Sequence, residues 1–185
     1  MSDPAPRRIG LVGGESTGKS TLALDLAEAL DACVVDEELR DFVARHGRTP
    51  HRDEQAGILH AQVVREEEAA QICRRPVLVA DPAPLMTAVY SLVYFDDPSL
   101  VVAAADHCER YALLVWCADD LPWVPDDGQR DGLSHRSQAD AIISRLVAEE
   151  LDPRGIRVLR VTGDRDSRVT AVRMAWLPGP SQGPT

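Results

Sequence analysis

Residues 13–20 read GGESTGKS, which matches the pattern G-x-x-x-x-G-K-[ST]. The string follows a short apolar run, Ile9–Val12. It precedes Leu22, Leu26 and Leu30, whose four-residue spacing reads as a helix with one apolar stripe. A loop between a strand and a helix is the setting this pattern needs in order to cradle phosphate. Gly13 and Gly18 permit positive φ and bring backbone N–H groups toward phosphate oxygens, and the helix N-terminus adds its positive end. The stretch Gly13, Gly14, Glu15, Ser16, Thr17, Gly18, Lys19, Ser20 and Thr21 is the expected ATP-binding loop. Lys19 is placed to reach the β- and γ-phosphates, and the Ser20 hydroxyl to ligate Mg²⁺. Lys19 is also the one lysine among twenty basic residues. A chain that uses arginine at every other cationic position keeps the compact ammonium where a planar guanidinium would not fit.

The rest of the chain alternates short apolar runs with longer helical patterns. Strands are expected at Cys33–Val35, Val77–Ala80, Leu113–Trp116 and Arg157–Val161, with helices over roughly 38–46, 53–72, 84–108, 137–151 and 165–176. Ser137 reads as an N-cap. Continuous apolar strands separated by helices predict a parallel sheet covered on both faces. The expected architecture is therefore a three-layer α/β P-loop NTPase fold: a five-stranded parallel sheet with helices on both faces and a lid segment. Residues 1–7 form an expected disordered N-terminus and 8–176 the domain, with the lid at about 118–136; the Pro/Gly/Ser-rich tail 177–185 is expected to be disordered.

Ligands in such sheets bind beyond the carboxyl ends of the strands. Acids collect there: Asp36, Glu37 and Glu38, then Asp81, then Asp119 and Asp120, then Asp164. Asp81 ends an apolar strand, the position of a Mg²⁺-holding aspartate. The net charge of −10 argues against general nucleic-acid or anionic-membrane binding, so any anionic ligand is held locally. No apolar run reaches membrane-span length, and MSDPAPRR lacks the apolar segment of a signal peptide, so a cytoplasmic location is expected. Cys33, Cys73, Cys108 and Cys117 form no CxxC pair, which predicts reduced, mostly buried thiols.

With no lysine after position 19, the guanine-reading N-K-x-D sequence of switch GTPases is absent. Ring-forming ATPases need more chain and a helical lid domain. A small phosphotransferase or an ATP-dependent binding switch remains. Four segments carry a resemblance: the phosphate loop, DEELRDF at 36–42, ADPAPLMTAVY at 80–90 and PWVPDDGQRD at 122–131. Together they resemble the ribosylnicotinamide kinase domain of the bifunctional NAD-biosynthesis regulators, over about residues 8–175. Those regulators carry further domains ahead of this unit, and the resemblance is to the kinase domain alone. Where that family has D-T-D, this chain has Asp81-Pro82-Ala83, so the second acid is missing.

The resemblance implies an ATP- and Mg²⁺-dependent kinase acting on a small nucleoside-like acceptor, with nicotinamide riboside favoured. The alternative is an ATP-binding sensor with weak hydrolysis and no small-molecule acceptor. Phosphoryl transfer to a hydroxyl needs a carboxylate near the acceptor, and Glu37 comes first for that role with Asp36 second. The same acids also suit the start of the following helix. Arg40, three residues after Glu37, either pairs with it or contacts substrate. Glu15 either bonds the acceptor or a metal water, or faces solvent. Arg130 and then Arg136 are the expected lid cations. Thr162 and Gly163, after the last strand, are expected against adenine. Tyr90 and Asp81 complete the expected acceptor contacts, and Gln62 and Glu66 match polar positions on the family's long helix. Tyr90, Tyr94 and Trp116 read as core more than as a base-stacking platform, although Tyr90 falls in a resembling stretch.

Overall fold

The computed structural model describes residues 5–122 and 133–176. In chain order the elements are β1 (Arg7–Val12), α1 (Lys19–Ala29), β2 (Ala32–Val35), α2 (Glu38–His46), α3 (Gln55–Ile72), β3 (Val77–Ala80), α4 (Leu85–Phe95), α5 (Val101–Cys108), β4 (Tyr111–Cys117), α6 (Leu133–Leu146), β5 (Val158–Val161) and α7 (Arg165–Trp176). The five strands form one sheet in the order β2-β3-β1-β4-β5, and every pairing is parallel. β1 lies at the centre between β3 and β4, so the chain order reverses at its two edges. That reversal opens a crevice at its carboxyl end, where ligands bind in such sheets.

Strand alternation divides the core into two layers. Ile9, Leu11, Val77, Val79, Leu113 and Val115 face α1 and α7. Val12, Ala80, Leu114 and Trp116 face α4, α5 and α6. One irregularity shifts this pattern. Arg8 pairs with Tyr111 but Ile9 pairs with Leu113, so Ala112 is an extra residue and Tyr111 falls on the same face as Leu114. Its ring then lies over Gly10, where a Cβ would come within 2.8 Å of it. A side chain at position 10 is therefore excluded.

α3 carries an unusual inner face. Gln55, Ile58, Leu59, Gln62 and Glu66 are its buried residues, so helical spacing sends three polar side chains into the interior. α6 begins at Leu133, ahead of Ser137, which lies in its interior and is not the cap. The first turns are held by tertiary contacts: the His135 ring stacks on Tyr94 at 5.5 Å, and Arg136 is buried. The cysteines also differ from expectation. Cys33 of β2 and Cys73 after α3 form a disulfide, with Cα atoms 6.2 Å apart, because α3 returns the chain to β2 forty residues later. Cys108 and Cys117 are free and buried, and burial pushes the Cys117 thiol up to about 11. Trp116 is core as expected, whereas Tyr94 is 40% exposed. Among the described residues no helix is long and apolar enough to cross a membrane.

Candidate active site

The loop between β1 and α1 sits at the carboxyl end of the central strand. Gly13 has φ 149°, and a Cβ there would lie 2.7 Å from both the Cys117 carbonyl oxygen and Thr17 Oγ1. Gly18 has φ 79° and caps α1 without a side-chain bond, which leaves the first-turn N–H groups free for an anion. Thr17 is buried and its hydroxyl donates to the Gly14 carbonyl at 2.8 Å. Lys19 Nζ donates to the carbonyls of Gly13 and Gly14, at 2.8 and 2.7 Å. Burial pulls this amine below the ordinary lysine value, against the opposing attraction of Glu37 and Asp81. Glu15 and Ser16 are half-buried on the loop, Ser16 in the left-handed region at φ 54°, and Thr21 is exposed.

The aspartate expected to face a metal is Asp81. It follows β3, its N–H donates to the Val35 carbonyl at 2.9 Å, and it is 7% exposed. Its Oδ1 is buried with no hydrogen-bond partner among the described residues. A buried carboxylate oxygen without a partner is costly unless a cation or donor meets it. Asp81 and Ser20 therefore fit a Mg²⁺ that takes its remaining ligands from water and phosphate. No group of three or more His, Cys, Asp or Glu placed to hold a metal exists among the described residues, and a phosphate-linked Mg²⁺ needs none.

The acids after β2 take three different positions. Asp36 is exposed. Glu38 is buried and pairs with Arg45 and Arg65, so it serves the start of α2 and its packing on α3. Glu37 is the one that turns to the site. Its carboxylate pairs with Arg40 Nε at 3.2 Å, and Arg40 Nη2 donates to Ser20 Oγ at 3.1 Å. Arg40 thus links the acid to the loop hydroxyl, which adds a partner to those expected for it. Burial pushes the Glu37 carboxyl above the ordinary glutamate value, although Lys19 and Arg40 pull it the other way.

Glu37 also borders a cavity between α3 and the start of α4. Leu39, Ile58, Ala83 and Met86 form its apolar walls. Gln55, Gln62, Thr87 and Tyr90 supply the polar groups. Gln62 is 3% exposed and braces the acid segment: its Oε1 accepts from the Glu38 N–H at 2.7 Å and its Nε2 donates to the Asp36 carbonyl at 3.3 Å. The residues on both sides of Glu37 are thereby fixed to α3.

Two arginines hold the other side of the loop. Arg136 is 4% exposed and packs on Gly14, where a Cβ would meet its backbone oxygen at 3.1 Å. Its Nη2 donates to the Leu121 carbonyl at 2.8 Å, and its Nε is buried without a partner among the described residues. Arg168 of α7, which sequence reasoning missed, is 2% exposed. It donates to the carbonyls of Thr17 (2.6 Å), Gly163 (2.9 Å) and Ala118 (3.2 Å) and pairs with Asp120. Asp120 in turn accepts from the Gly163 N–H at 2.6 Å. Arg168 therefore joins the phosphate loop to the ends of β4 and β5. Thr162 and Gly163 are exposed beside this junction. Trp123, Arg130 and the acids Asp126, Asp127 and Asp131 lie outside the described residues.

Comparison with known proteins gives the family and the fold. A family described as the AAA domain matches residues 8–168, and the chain belongs to that family. No curated protein matches the sequence. Among solved structures, the chain is similar to NadR protein in complex with NAD and AMP-PNP, with a TM-score of 0.71 and 19% identity over 91% of this chain. The chain spans about half of NadR, 49% of its length. It is also similar to thymidylate kinase from Candida albicans (TM-score 0.69, 13% identity, 92% of this chain and 91% of that one). Deoxyadenosine kinase from M. mycoides with bound dATP gives a TM-score of 0.65 at 11% identity, covering 92% and 98% of the two chains. At these identities the likeness establishes the three-layer P-loop fold that kinases of nucleosides and nucleotides share.

Proposed function

We propose that this member of the AAA domain family is an ATP- and Mg²⁺-dependent kinase. Its reaction would move the γ-phosphoryl group to a hydroxyl of a small nucleoside-like acceptor, with nicotinamide riboside favoured. The observation that carries this reading is the position of Glu37: it borders the cavity, and Arg40 links it to Ser20 of the phosphate loop. A pure nucleotide sensor needs no carboxylate there.

The roles follow from the residues. The loop N–H groups and Lys19 neutralise phosphate charge, and Arg136 packs beside them. Mg²⁺, held by Ser20 and Asp81, would supply further charge neutralisation. Glu37 accepts the proton of the attacking hydroxyl as that oxygen bonds to the γ-phosphorus; the bond from the γ-phosphorus to the bridging oxygen breaks, and ADP departs. A carboxyl raised by burial is a stronger base than an exposed glutamate, which suits the transfer. The reading places the chain in NAD metabolism and in the cytoplasm.

The test is ADP release from Mg·ATP with a panel of nucleosides that includes nicotinamide riboside, with Lys19→Ala as the blank. A rate rise with one nucleoside, absent in the blank, is the expected result. ATP binding with no acceptor-dependent turnover would replace this reading with the sensor.

A further inference from the structure

Arg168 lies one turn into α7, where helical geometry sends a side chain back toward the amino end of its helix. That direction brings it to the phosphate loop and to the turn after β5. The guanidinium is buried and divides its donors between the two. Nη1 donates to the Thr17 carbonyl at 2.6 Å. Nε donates to the Gly163 carbonyl at 2.9 Å, and Nη2 reaches the Ala118 carbonyl and Asp120. Asp120 closes the circuit, because it also accepts from the Gly163 N–H at 2.6 Å. A rigid fork of donors spans acceptors on both sides at once, whereas a lysine ammonium is a point donor on a single stem.

These bonds fix peptide planes. A trans peptide is planar, and its C=O and N–H point opposite ways. Holding the Thr17 carbonyl toward α7 therefore turns the N–H of the same plane, which belongs to Gly18, away from α7. Gly18 caps α1, so that N–H is among the donors a helix start presents to an anion. On the other side, Gly163 is tied by both its N–H and its carbonyl, in the left-handed conformation at φ 83°. Burying a guanidinium is costly, and an apolar side chain of similar volume packs a core as well or better. What the arginine adds is the fixed link between two loops 151 residues apart in the chain.

We infer that Arg168 is a positioning residue for nucleotide binding. It aims the Gly18 N–H at phosphate and ties the phosphate loop to the Thr162–Gly163 turn, so that a ligand at one is felt at the other. The ligand class is a nucleotide polyphosphate. The inference needs phosphate in the loop and holds whether the chain transfers the γ-phosphoryl group or only binds it.

The chain supplies its own probes, since Thr17–Gly18 and Thr162–Gly163 are its only two Thr-Gly pairs. Isotope labels on the threonine carbonyl carbon and the glycine nitrogen therefore give two carbon-coupled amide resonances, one on each side of Arg168. Inorganic tripolyphosphate, which carries no base, is added to the wild type, Arg168→Met and Arg168→Lys, and its affinity and that of ATP are measured by calorimetry. In the wild type both resonances are expected to move with tripolyphosphate. In Arg168→Met the Gly18 resonance alone is expected to move, and the affinity for both ligands to fall about 10- to 100-fold, the worth of one hydrogen bond to a charged group. Arg168→Lys keeps the buried charge and is expected to lose the joint movement with a smaller fall in affinity.

A merely structural arginine lowers the melting temperature and leaves the two resonances moving together in the folded protein, and that result overturns the inference. So does a wild type in which tripolyphosphate moves Gly18 alone, or one that binds neither ligand. Where Arg168→Met does not fold, Arg168→Lys carries the test, and joint movement with wild-type affinity in that variant overturns the inference. Joint movement lost in the variants, with no acceptor-dependent turnover in the wild type, supports the inference and removes the kinase reading.

Discussion

The two ends of the sheet hold their buried polar groups in opposite ways. At the amino end, Glu66 is fully buried and its carboxylate accepts from His107 Nε2 at 2.9 Å and from the Tyr111 hydroxyl at 2.8 Å. Beside it, Arg8 donates both Nη groups to Glu67, at 2.8 and 2.9 Å. At the carboxyl end, Asp81 Oδ1 and Arg136 Nε have no partner among the described residues, and burial has shifted Glu37 and Lys19 toward their neutral forms. One end is a satisfied network that specifies packing; the other holds, beside the satisfied Arg168 and Gln62, buried polar atoms with no partner among the described residues. Polar burial alone does not mark function, since both ends have it. What separates them is satisfaction.

The largest expected effect falls at the carboxyl end. Lys19→Ala removes the loop's cation and is expected to lower ATP-dependent turnover by about 10³-fold or more, while thermal melting of the protein without nucleotide is unchanged or improved. A stable variant with near-normal turnover would break the comparison. Glu37→Gln is expected to cost about 10²- to 10⁴-fold in kcat with ATP affinity nearly unaltered, read by single-turnover kinetics beside calorimetry.

Glu37 also gives a pH signature whose sign is set by its raised folded-state value. Its contribution to stability is complete below the ordinary glutamate value and is lost as pH rises through the raised one. Glu37→Gln is therefore expected to melt higher than the wild type at neutral pH, with the gap closing in acid. The acid limb of the wild-type kcat profile is expected above the ordinary carboxylate range. A limb at the ordinary position would remove Glu37 as the base.

The amino end is expected to respond in stability and not in rate. Glu66→Ala strands the His107 and Tyr111 donors in the core and is expected to cost about 3 kcal/mol, measured by urea unfolding, with kcat unchanged in the folded protein. A fall in kcat with little loss of stability would show that the two ends are coupled. Smallest is the partly buried Arg8–Glu67 pair, where a double-mutant cycle to alanine is expected to give about 1 kcal/mol.

The frame on which these two ends sit was legible in the sequence. The phosphate loop, the five strands and the acids at their ends follow from local spacing, because apolar periodicity and a glycine-bounded anion loop are properties of adjacent residues. Gln62 and Glu66, one helical turn apart, stood out only as polar positions shared with the long helix of the resembling family, and their burial comes from the fold. Their separate duties did not show, because one braces a loop after β2 and the other meets a tyrosine on β4. Arg168 was illegible for a similar reason. It is one arginine among nineteen, and only the fold brings it to Thr17, 151 residues away. The Cys33–Cys73 bond and the early start of α6 likewise depend on long-range contacts, which spacing along the chain does not encode.

Lys19 has a consequence for how this protein can be studied. It is the sole side-chain amine, and its environment leaves it less protonated at a given pH than an exposed lysine would be. Reagents that acylate or reductively methylate amines therefore have one internal target, and it lies in the phosphate loop. An isotopically labelled methyl placed on that nitrogen would give a single internal resonance. Its position would report nucleotide binding directly, without a substitution anywhere in the chain.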